Sequence, residues 1–306
     1  MTHPDQAVVT GAFSYAGRYV ARRLLGDGVR VRTLTRNPDR EDPFAGRVKA
    51  YPMDFSDPEG LRRSMEGAGV LYNTYWIRYA RGGITFHQAV RNTGTLFQAA
   101  VAAGVGRIVH FSVANPSNEY DLPYFRGKAQ VEEMLKAVGI SYATIRPTLV
   151  FGKGDLLLNN MAWALRRFPV FPVFGRGDYL VQPIYAGDLA ALAVESGSRA
   201  DSFVANAGGP DTFTFEELLR LLASAVGARV RLVHTPPFLG FALTKLVGLL
   251  LRDVGLTRDE VDGLMAGLLK SGARSTGTTR LGDWLADNGS VLGQRYVSES
   301  RRNLPS

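Results

Sequence analysis

Short apolar runs alternate with helical patterns through the first two-thirds of the chain. The apolar runs predict strands at Ala7–Thr10, Arg30–Thr35, Val48–Met53, Val70–Asn73, Arg107–Ser112 and Tyr142–Ile145. The stretches between them have helical spacing and lie near Ala16–Leu25, Pro58–Met65, Phe86–Ala103 and Phe125–Val138. The strand runs lack polar alternation, which is typical of a parallel sheet covered on both faces. The pattern predicts an α/β fold with a doubly wound parallel sheet and right-handed crossovers.

The pattern changes after Arg146-Pro147, where Gly and Pro become frequent. The later predicted elements are a helix at Leu156–Arg167, a helix after Asp188, a strand near Phe203–Asn206, a helix at Phe215–Ala225 opened by the capping-box-like Thr214–Glu217, and a mainly helical tail from Pro236 to Trp284. We therefore expect a dinucleotide-binding domain over residues 1–150 and a smaller, mainly helical substrate cap over residues 151–306. A segment around residues 182–206 is expected to return to the first domain.

Composition narrows the class of protein. The chain has 306 residues and an apolar content of 45%, which is ordinary for a globular protein. No run reaches the ~18–20 apolar residues that cross a bilayer. The most apolar stretch, Phe238–Leu251, contains Lys245 and favours a buried or interfacial amphipathic helix. The polar start of the chain lacks the pattern of a signal peptide, so we expect a cytoplasmic protein with no membrane span.

Charge and metal-ligand residues exclude further classes. The net charge is +8, but the arginines are spread over every segment and no dense basic run occurs, so nucleic-acid binding is not predicted. The absence of cysteine excludes disulfides and thiolate sites. The histidines are scattered, at His3, His87, His110 and His234. We therefore expect no metal site.

The first predicted strand ends at a glycine turn that opens a helix at once. Gly11 and Gly17 frame the turn, and Ser14 stands where a middle glycine is usual. This order places backbone N–H groups and a helix N-terminus at one point, an anion site suited to a dinucleotide pyrophosphate. The predicted cofactor contacts here are Gly11, Phe13, Ser14, Tyr15, Ala16 and Gly17. Alternatively, Gly11 only ends a strand and Gly17 only permits tight helix packing.

The ends of the second and third strands indicate which dinucleotide binds. The second strand ends at Thr35 and Arg36 with no carboxylate, and an arginine there accommodates a 2′-phosphate. We therefore predict NADP(H) in preference to NAD(H), unless Arg36 is only a surface charge. Asp54 and Phe55 follow the third strand and are predicted to contact the cofactor, Asp54 at the adenine amino group. Alternatively, Asp54 caps the next helix, a role for which Asp57 competes.

A tyrosine and a lysine four residues apart open the helix after the fifth strand. At that spacing Tyr124 and Lys128 share one helix face. A cation beside a phenol favours the phenolate, so Tyr124 can move a proton while Lys128 also donates to ribose hydroxyls of a cofactor.

Together these residues resemble the short-chain dehydrogenase/reductase superfamily in its extended or atypical branch, and the resemblance covers most of the chain. It is closest to epimerase/dehydratase-like and NmrA-like proteins and to the accessory-subunit group of respiratory complex I. Further matching segments are Asn92–Thr95, Arg107–Ser112, Arg146–Gly152 and Val181–Ala190. The resemblance implies a Rossmann fold, catalytic roles for Tyr124, Lys128, Ser112 and Asn92, and cofactor contacts from Lys128 and Pro147.

The chain departs from the family pattern at two positions. Ser14 replaces the middle glycine, and a small hydroxyl residue is tolerated beside a pyrophosphate. Val113 occupies the position of the usual catalytic hydroxyl, and neighbouring strand residues face opposite sides. Ser112 is therefore expected to point into the sheet, and Asn115, Ser117 or Asn118 can substitute for it.

Asn92 and the aromatic residues after the fourth strand each allow two interpretations. Asn92 either positions Lys128 through water or only satisfies backbone groups at a helix kink. The aromatic residues after the fourth strand either pack the loop or line a pocket for an apolar substrate; they are Tyr72, Tyr75, Trp76 and Tyr79.

The predicted function is NADP(H)-dependent oxidation or reduction of a small, fairly apolar carbonyl or enone. One alternative is a nucleotide-sugar epimerase or dehydratase. The other is a non-catalytic NAD(P)H-binding redox sensor or structural subunit. A homodimer through the helix around Tyr124 is left open.

Overall fold

The computed structural model describes residues 5–80, 82–242, 253 and 257–298. Its main feature is one parallel sheet of seven strands. These strands are β1 (Gln6–Thr10), β2 (Arg30–Thr35), β3 (Val48–Pro52), β4 (Val70–Asn73), β5 (Arg107–Phe111), β6 (Ser141–Pro147) and β11 (Phe203–Ala207). Their order in the sheet is β11-β6-β5-β4-β1-β2-β3. The predicted doubly wound parallel sheet is confirmed.

Helices cover both faces of this sheet. They are α1 (Tyr15–Gly26), α2 (Pro58–Met65), α3 (Phe86–Ala102), α4 (Pro123–Ala137) and α6 (Ala186–Gly197). Helix α1 packs against α6, whereas α2, α3 and α4 pack side by side. Because each strand contributes apolar side chains to both layers, β1, β4 and β5 are buried at every position. The order of the strands reverses between β1 and β4, where the carboxyl ends form a crevice.

The chain divides into two compact units. The first contains the described residues up to Pro147 together with Ala186–Ala207, and the second contains Thr148–Tyr185 and the described residues from Gly208 onward. The segment Ala186–Ala207 supplies α6 and the edge strand β11, which pairs with β6 in parallel.

The second unit is built from short strand pairs and helices. Its strands are β7 (Leu149–Phe151), β8 (Val170–Phe174), β9 (Leu180–Val181), β10 (Pro183–Tyr185), β12 (Phe213–Thr214) and β13 (Arg231–Thr235). They form three separate pairs, β10-β7, β12-β9 and β13-β8. Its helices are α5 (Leu157–Arg167), α7 (Phe215–Ala225), α8 (Arg258–Met265) and α9 (Leu281–Asn288). Thr214 and Glu217 form the predicted capping box.

The tail is helical only in part. The described residues between α8 and α9 form turns and extended chain, so the expectation of a mainly helical tail is wrong for 266–280. The apolar stretch Phe238–Leu251 lies mostly outside the described residues. No helix in the described ranges combines the length and apolar character that crossing a bilayer requires.

Candidate functional site

The turn after β1 is held by backbone contacts. Gly11 has φ +65°, a conformation that favours glycine, and its N–H donates to the Leu34 carbonyl at 2.8 Å. A Cβ on Gly17 would lie 2.2 Å from the Gly11 carbonyl oxygen. Helix α1 therefore approaches the end of β1 as closely as two backbones can.

The N-terminus of α1 has no side-chain cap. Ser14 occupies the cap position, but its hydroxyl donates back to the Gly11 carbonyl at 2.5 Å. The Ser14 side chain therefore does not occupy the N-terminus of α1, where backbone N–H groups of a helix can bind an anion. Phe13 is buried beneath the turn. All predicted cofactor residues of the turn therefore lie together.

Arginines surround the carboxyl end of β2. The Arg18 guanidinium donates to the Phe13 carbonyl at 3.0 Å. Its pKa is lowered, first by burial and then by the nearby charge of Arg40. Arg36 is exposed just beyond β2, next to Thr35, whose hydroxyl accepts from the Asn37 N–H at 3.3 Å. Arg18 was not among the predicted cofactor residues, although it directly follows Gly17 and its side chain bonds back to the turn.

Asp54 and Phe55 follow β3. The Asp54 carboxylate accepts from the N–H and hydroxyl of Ser56, at 2.9 and 2.6 Å, and these bonds lower its pKa. Asp57 caps α2 by accepting from the Gly60 N–H at 2.8 Å, so Asp54 is not the cap. The Phe55 ring lies 4.9 Å from that of Tyr75.

A buried polar network joins the carboxyl ends of three strands. The Thr10 hydroxyl donates to the Asn73 side chain at 3.1 Å and accepts from the N–H groups of Thr74 and Tyr75. The Asn73 amide lies 3.0 Å from Nδ1 of His110. Burial holds the pKa of His110 well below its usual range, so this imidazole is neutral. This network was not predicted, because its signal in the sequence is a single polar residue inside or at the end of each apolar run.

Asn92 bonds to side chains. It donates to the Tyr75 hydroxyl at 3.0 Å and accepts from Gln88 at 2.7 Å. A residue that only satisfies backbone groups at a helix kink would bond to the backbone, whereas both of these bonds go to side chains. A role in positioning Lys128 through water stays a prediction.

Lys128 is buried on α4. Only 3% of the residue is exposed. Its Nζ donates to the Phe111 carbonyl at the end of β5, at 2.6 Å, and lies 4.6 Å from the centre of the Trp76 ring. Burial lowers the pKa of Lys128 to about 7. The group can therefore change its protonation state near neutral pH.

Tyr124 lies among aromatic rings one turn before Lys128. Its ring packs edge-on against Trp76, Phe86 and Phe125, at 6.1, 6.0 and 5.5 Å. Tyr72, by contrast, is fully buried within β4. Trp76, from the predicted aromatic group, contacts Tyr124.

The hydroxyl of Ser112 is bonded inside the protein. It donates to the Glu132 carboxylate at 2.5 Å, and Glu132 also pairs with Arg146. Both Ser112 and Glu132 are buried. The carbonyl of Pro147 accepts from the Ala114 N–H at 2.8 Å. Glu132 was missed in the sequence, although it lies four residues after Lys128 on the same helix face.

The described part of the chain contains no group of three or more His, Asp or Glu side chains placed to hold a metal ion.

The fold is that of NAD(P)-dependent oxidoreductases and epimerases. The NADPH-dependent quinone oxidoreductase QOR2 of Escherichia coli, solved with NADPH, superposes with a TM-score of 0.75 over 92% of this chain and 99% of its own, at 23% identity. The family description of NmrA-like proteins matches residues 4–163, more than half of the chain. The chain therefore belongs to the NmrA-like family, which confirms the resemblance found in the sequence.

Curated relatives have diverse names. The chain is 29% identical to the ceramide reductase of Caulobacter vibrioides, over 74% of this chain and 73% of the relative. It is 26% identical to the mitochondrial NADH dehydrogenase (ubiquinone) 1 alpha subcomplex subunit 9 of Mus musculus, over 84% and 70%. An uncharacterized protein of Mycobacterium tuberculosis is 28% identical over 74% of this chain. That match spans only 24% of the mycobacterial protein's length.

Proposed function

We propose that the chain binds NADP(H) and uses it to reduce or oxidise a small, fairly apolar carbonyl or enone. The observation that supports this most is positional. The glycine turn follows β1, Trp76 follows β4, and Lys128 bonds to the end of β5. These three strands are neighbours at the point where the strand order reverses, and open α/β sheets bind ligands there.

The residues of the turn fit a dinucleotide. The absence of a side chain at Gly17 lets the start of α1 approach the Gly11 carbonyl at the end of β1. The side chain at the cap position, Ser14, does not bond to the first-turn N–H groups. A pyrophosphate can therefore accept from these groups and gain from the helix dipole.

The arginines support NADP(H) over NAD(H). Arg18, Arg36 and Arg40 are grouped around the end of β2, and Arg18 and Arg40 lie near enough for their charges to interact. Thr35 and Arg36 leave the ribose position without a carboxylate. A guanidinium donates paired, charge-assisted bonds to a phosphate. These residues suit a 2′-phosphate better than two free ribose hydroxyls.

The bound dinucleotide supplies or accepts the hydride. In the reducing direction Tyr124 donates a proton to the carbonyl oxygen, and in the oxidising direction it takes the proton back. The Lys128 ammonium favours the Tyr124 phenolate and donates to ribose hydroxyls. Ser112 is the candidate second donor to the carbonyl, provided that it exchanges its bond with Glu132. The aromatic rings around Tyr124 favour an apolar substrate.

A panel of quinones, enones and apolar ketones tests the proposal by NADPH consumption. Tyr124→Phe should lower the rate at least about a hundredfold, the usual weight of a positioned general acid, with NADPH affinity within about twofold. Tyr120→Phe, a nearby phenol, is the matched control and should keep the rate. An unchanged rate in Tyr124→Phe removes Tyr124 from the mechanism.

A cofactor-binding protein without turnover is the second candidate. The bond from Ser112 to the Glu132–Arg146 pair favours it, because that hydroxyl is already used. Tight NADPH binding with no oxidation of any panel member would support this role. Turnover of a nucleotide diphosphate sugar would instead support an epimerase or dehydratase.

A further inference from the structure

Trp76 covers the ammonium of Lys128. The centre of the Trp76 ring lies 4.6 Å from Nζ, which is cation–π distance. Another Nζ hydrogen goes to the Phe111 carbonyl. No ion pair of Lys128 forms among the residues that the structure describes. The Glu132 carboxylate is near enough for its charge to act on the ammonium, while the indole and the Phe111 carbonyl contact Nζ directly.

The position of the indole is built into the fold. A Cβ on Gly127 would lie 3.0 Å from the Trp76 ring, so the glycine lets the ring approach α4 closely. Phe86 and Tyr124 contact the same ring at 6.2 and 6.1 Å. Apolar and cation–π contacts thus hold the side chain over Lys128.

The indole N–H, however, is unsatisfied in this position. Nε1 of Trp76 is buried and has no hydrogen-bond partner among the described residues. A buried donor without an acceptor is costly, whereas an indole turned towards water or a polar ligand regains that bond. Satisfying this donor therefore offsets part of the contacts that the side chain loses when it leaves Lys128.

We propose that Trp76 is a gate on Lys128, covering the ammonium in the free protein and moving aside when the dinucleotide binds. This inference rests on the proposed function, in which Lys128 donates to ribose hydroxyls. The ribose and the indole compete for one ammonium. The observed affinity for the dinucleotide is then the intrinsic affinity reduced by the fraction of molecules in which Lys128 is uncovered.

Calorimetric titration of the full chain with NADPH tests the gate. A desolvated cation–π contact corresponds to about fivefold to thirtyfold in an equilibrium constant. Trp76→Ala should tighten NADPH binding by about that factor, and Trp76→Phe by less. In a Lys128→Met background the same Trp76→Ala change should alter the affinity less than about twofold. Trp163→Ala is the matched control and should leave the affinity unchanged.

A second readout follows the indole itself. The difference in tryptophan fluorescence between wild type and Trp76→Phe is the emission of Trp76. With saturating NADP+, acrylamide should quench this emission more strongly than in the free protein. The gate is overturned if accessibility falls or stays the same, or if Trp76→Ala binds NADPH equally or more weakly, as expected of a stacking platform.

The two hypotheses fail differently. If wild type binds NADPH but Trp76→Ala does not bind it more tightly, the gate fails and the proposed function stands. If neither wild type nor Trp76→Ala binds NADPH or NADH, the proposed function fails and the gate fails with it. Binding only by Trp76→Ala would support both.

Discussion

The candidate site has two ends, the β1–α1 turn and helix α4, and they differ in whether backbone atoms or side chains form them. At the β1–α1 turn, backbone atoms form the site, and glycines at positions 11 and 17 let them meet. On α4, side chains from distant elements determine the environment of each group: Lys128 faces Trp76, and Ser112 bonds to Glu132.

This difference separates binding from catalysis. The anion-binding geometry of a turn of small residues depends mainly on the strand before it and the helix after it, which are neighbours in the sequence. The protonation of Lys128 and the hydrogen bonding of Ser112 depend on side chains that are brought together only when the complete sheet forms. We therefore expect substitutions on α4 to change stability through buried charge, and substitutions at the turn to act mainly through steric fit and cofactor binding.

The largest expected effect is at Glu132. Glu132→Ala leaves Arg146 without its partner and Ser112 without an acceptor. Removing one member of a fully buried ion pair costs about 3–5 kcal/mol. Because the Arg146 side chain is 27% exposed, the free energy of unfolding should fall by about 3 kcal/mol, the lower end of that range, in urea denaturation. Glu133→Ala, on the exposed neighbouring position, should cost less than about 0.5 kcal/mol. Equal effects at the two positions would show that the buried pair is not a main support of α4.

The next effect is at Gly17. A Cβ there would lie 2.2 Å from the Gly11 carbonyl oxygen, so Gly17→Ala must displace the turn. We expect a loss of about 2–3 kcal/mol of stability, as for overpacking, and weaker NADPH binding. Gly26→Ala on the same helix meets nothing within 4 Å and should be neutral or slightly stabilising. Full NADPH affinity in Gly17→Ala would show that the turn is not a binding element.

The third effect depends on pH. Burial lowers the pKa of Lys128 from 10.5 to about 7. Between these values the unfolded chain binds a proton that the folded chain does not, so this group makes stability rise with pH. Lys128→Met removes the free-energy cost of burying the ammonium, so it should be more stable than wild type at pH 6, with the difference shrinking as the pH rises above 7 and vanishing above 10.5. A pH-independent difference would contradict it, and Lys136→Met on the exposed face is the control.

The smallest effect is at Arg36. Losing one charge-assisted bond to a phosphate should raise the NADPH dissociation constant about tenfold in Arg36→Ala and leave that for NADH within about twofold. Arg22→Ala, an exposed arginine on α1, should affect neither. Tighter wild-type binding of NADH than of NADPH would contradict the predicted preference.

The local pattern predicted the main sheet closely. Helix α2 was predicted with its observed ends, and α3 ends one residue earlier than expected. Long apolar runs and helix-capping residues indicate where strands and helices begin and end without reference to the rest of the fold. The strand pairs of the second unit were missed because β9 and β12 have only two residues each. Strand β8 contains a proline, and its partner β13 lies some sixty residues further along the chain.

The sequence by itself determined the α/β alternation, the glycine turn and the shared helix face of Tyr124 and Lys128, because these features depend on neighbours within about a dozen residues. Tertiary structure alone decided that Trp76 covers Lys128 and that Glu132 bonds to Ser112. It also decided that His110 is buried and neutral behind the end of β5. These properties come from desolvation and from contacts between residues far apart in the chain, which only packing of the complete sheet creates.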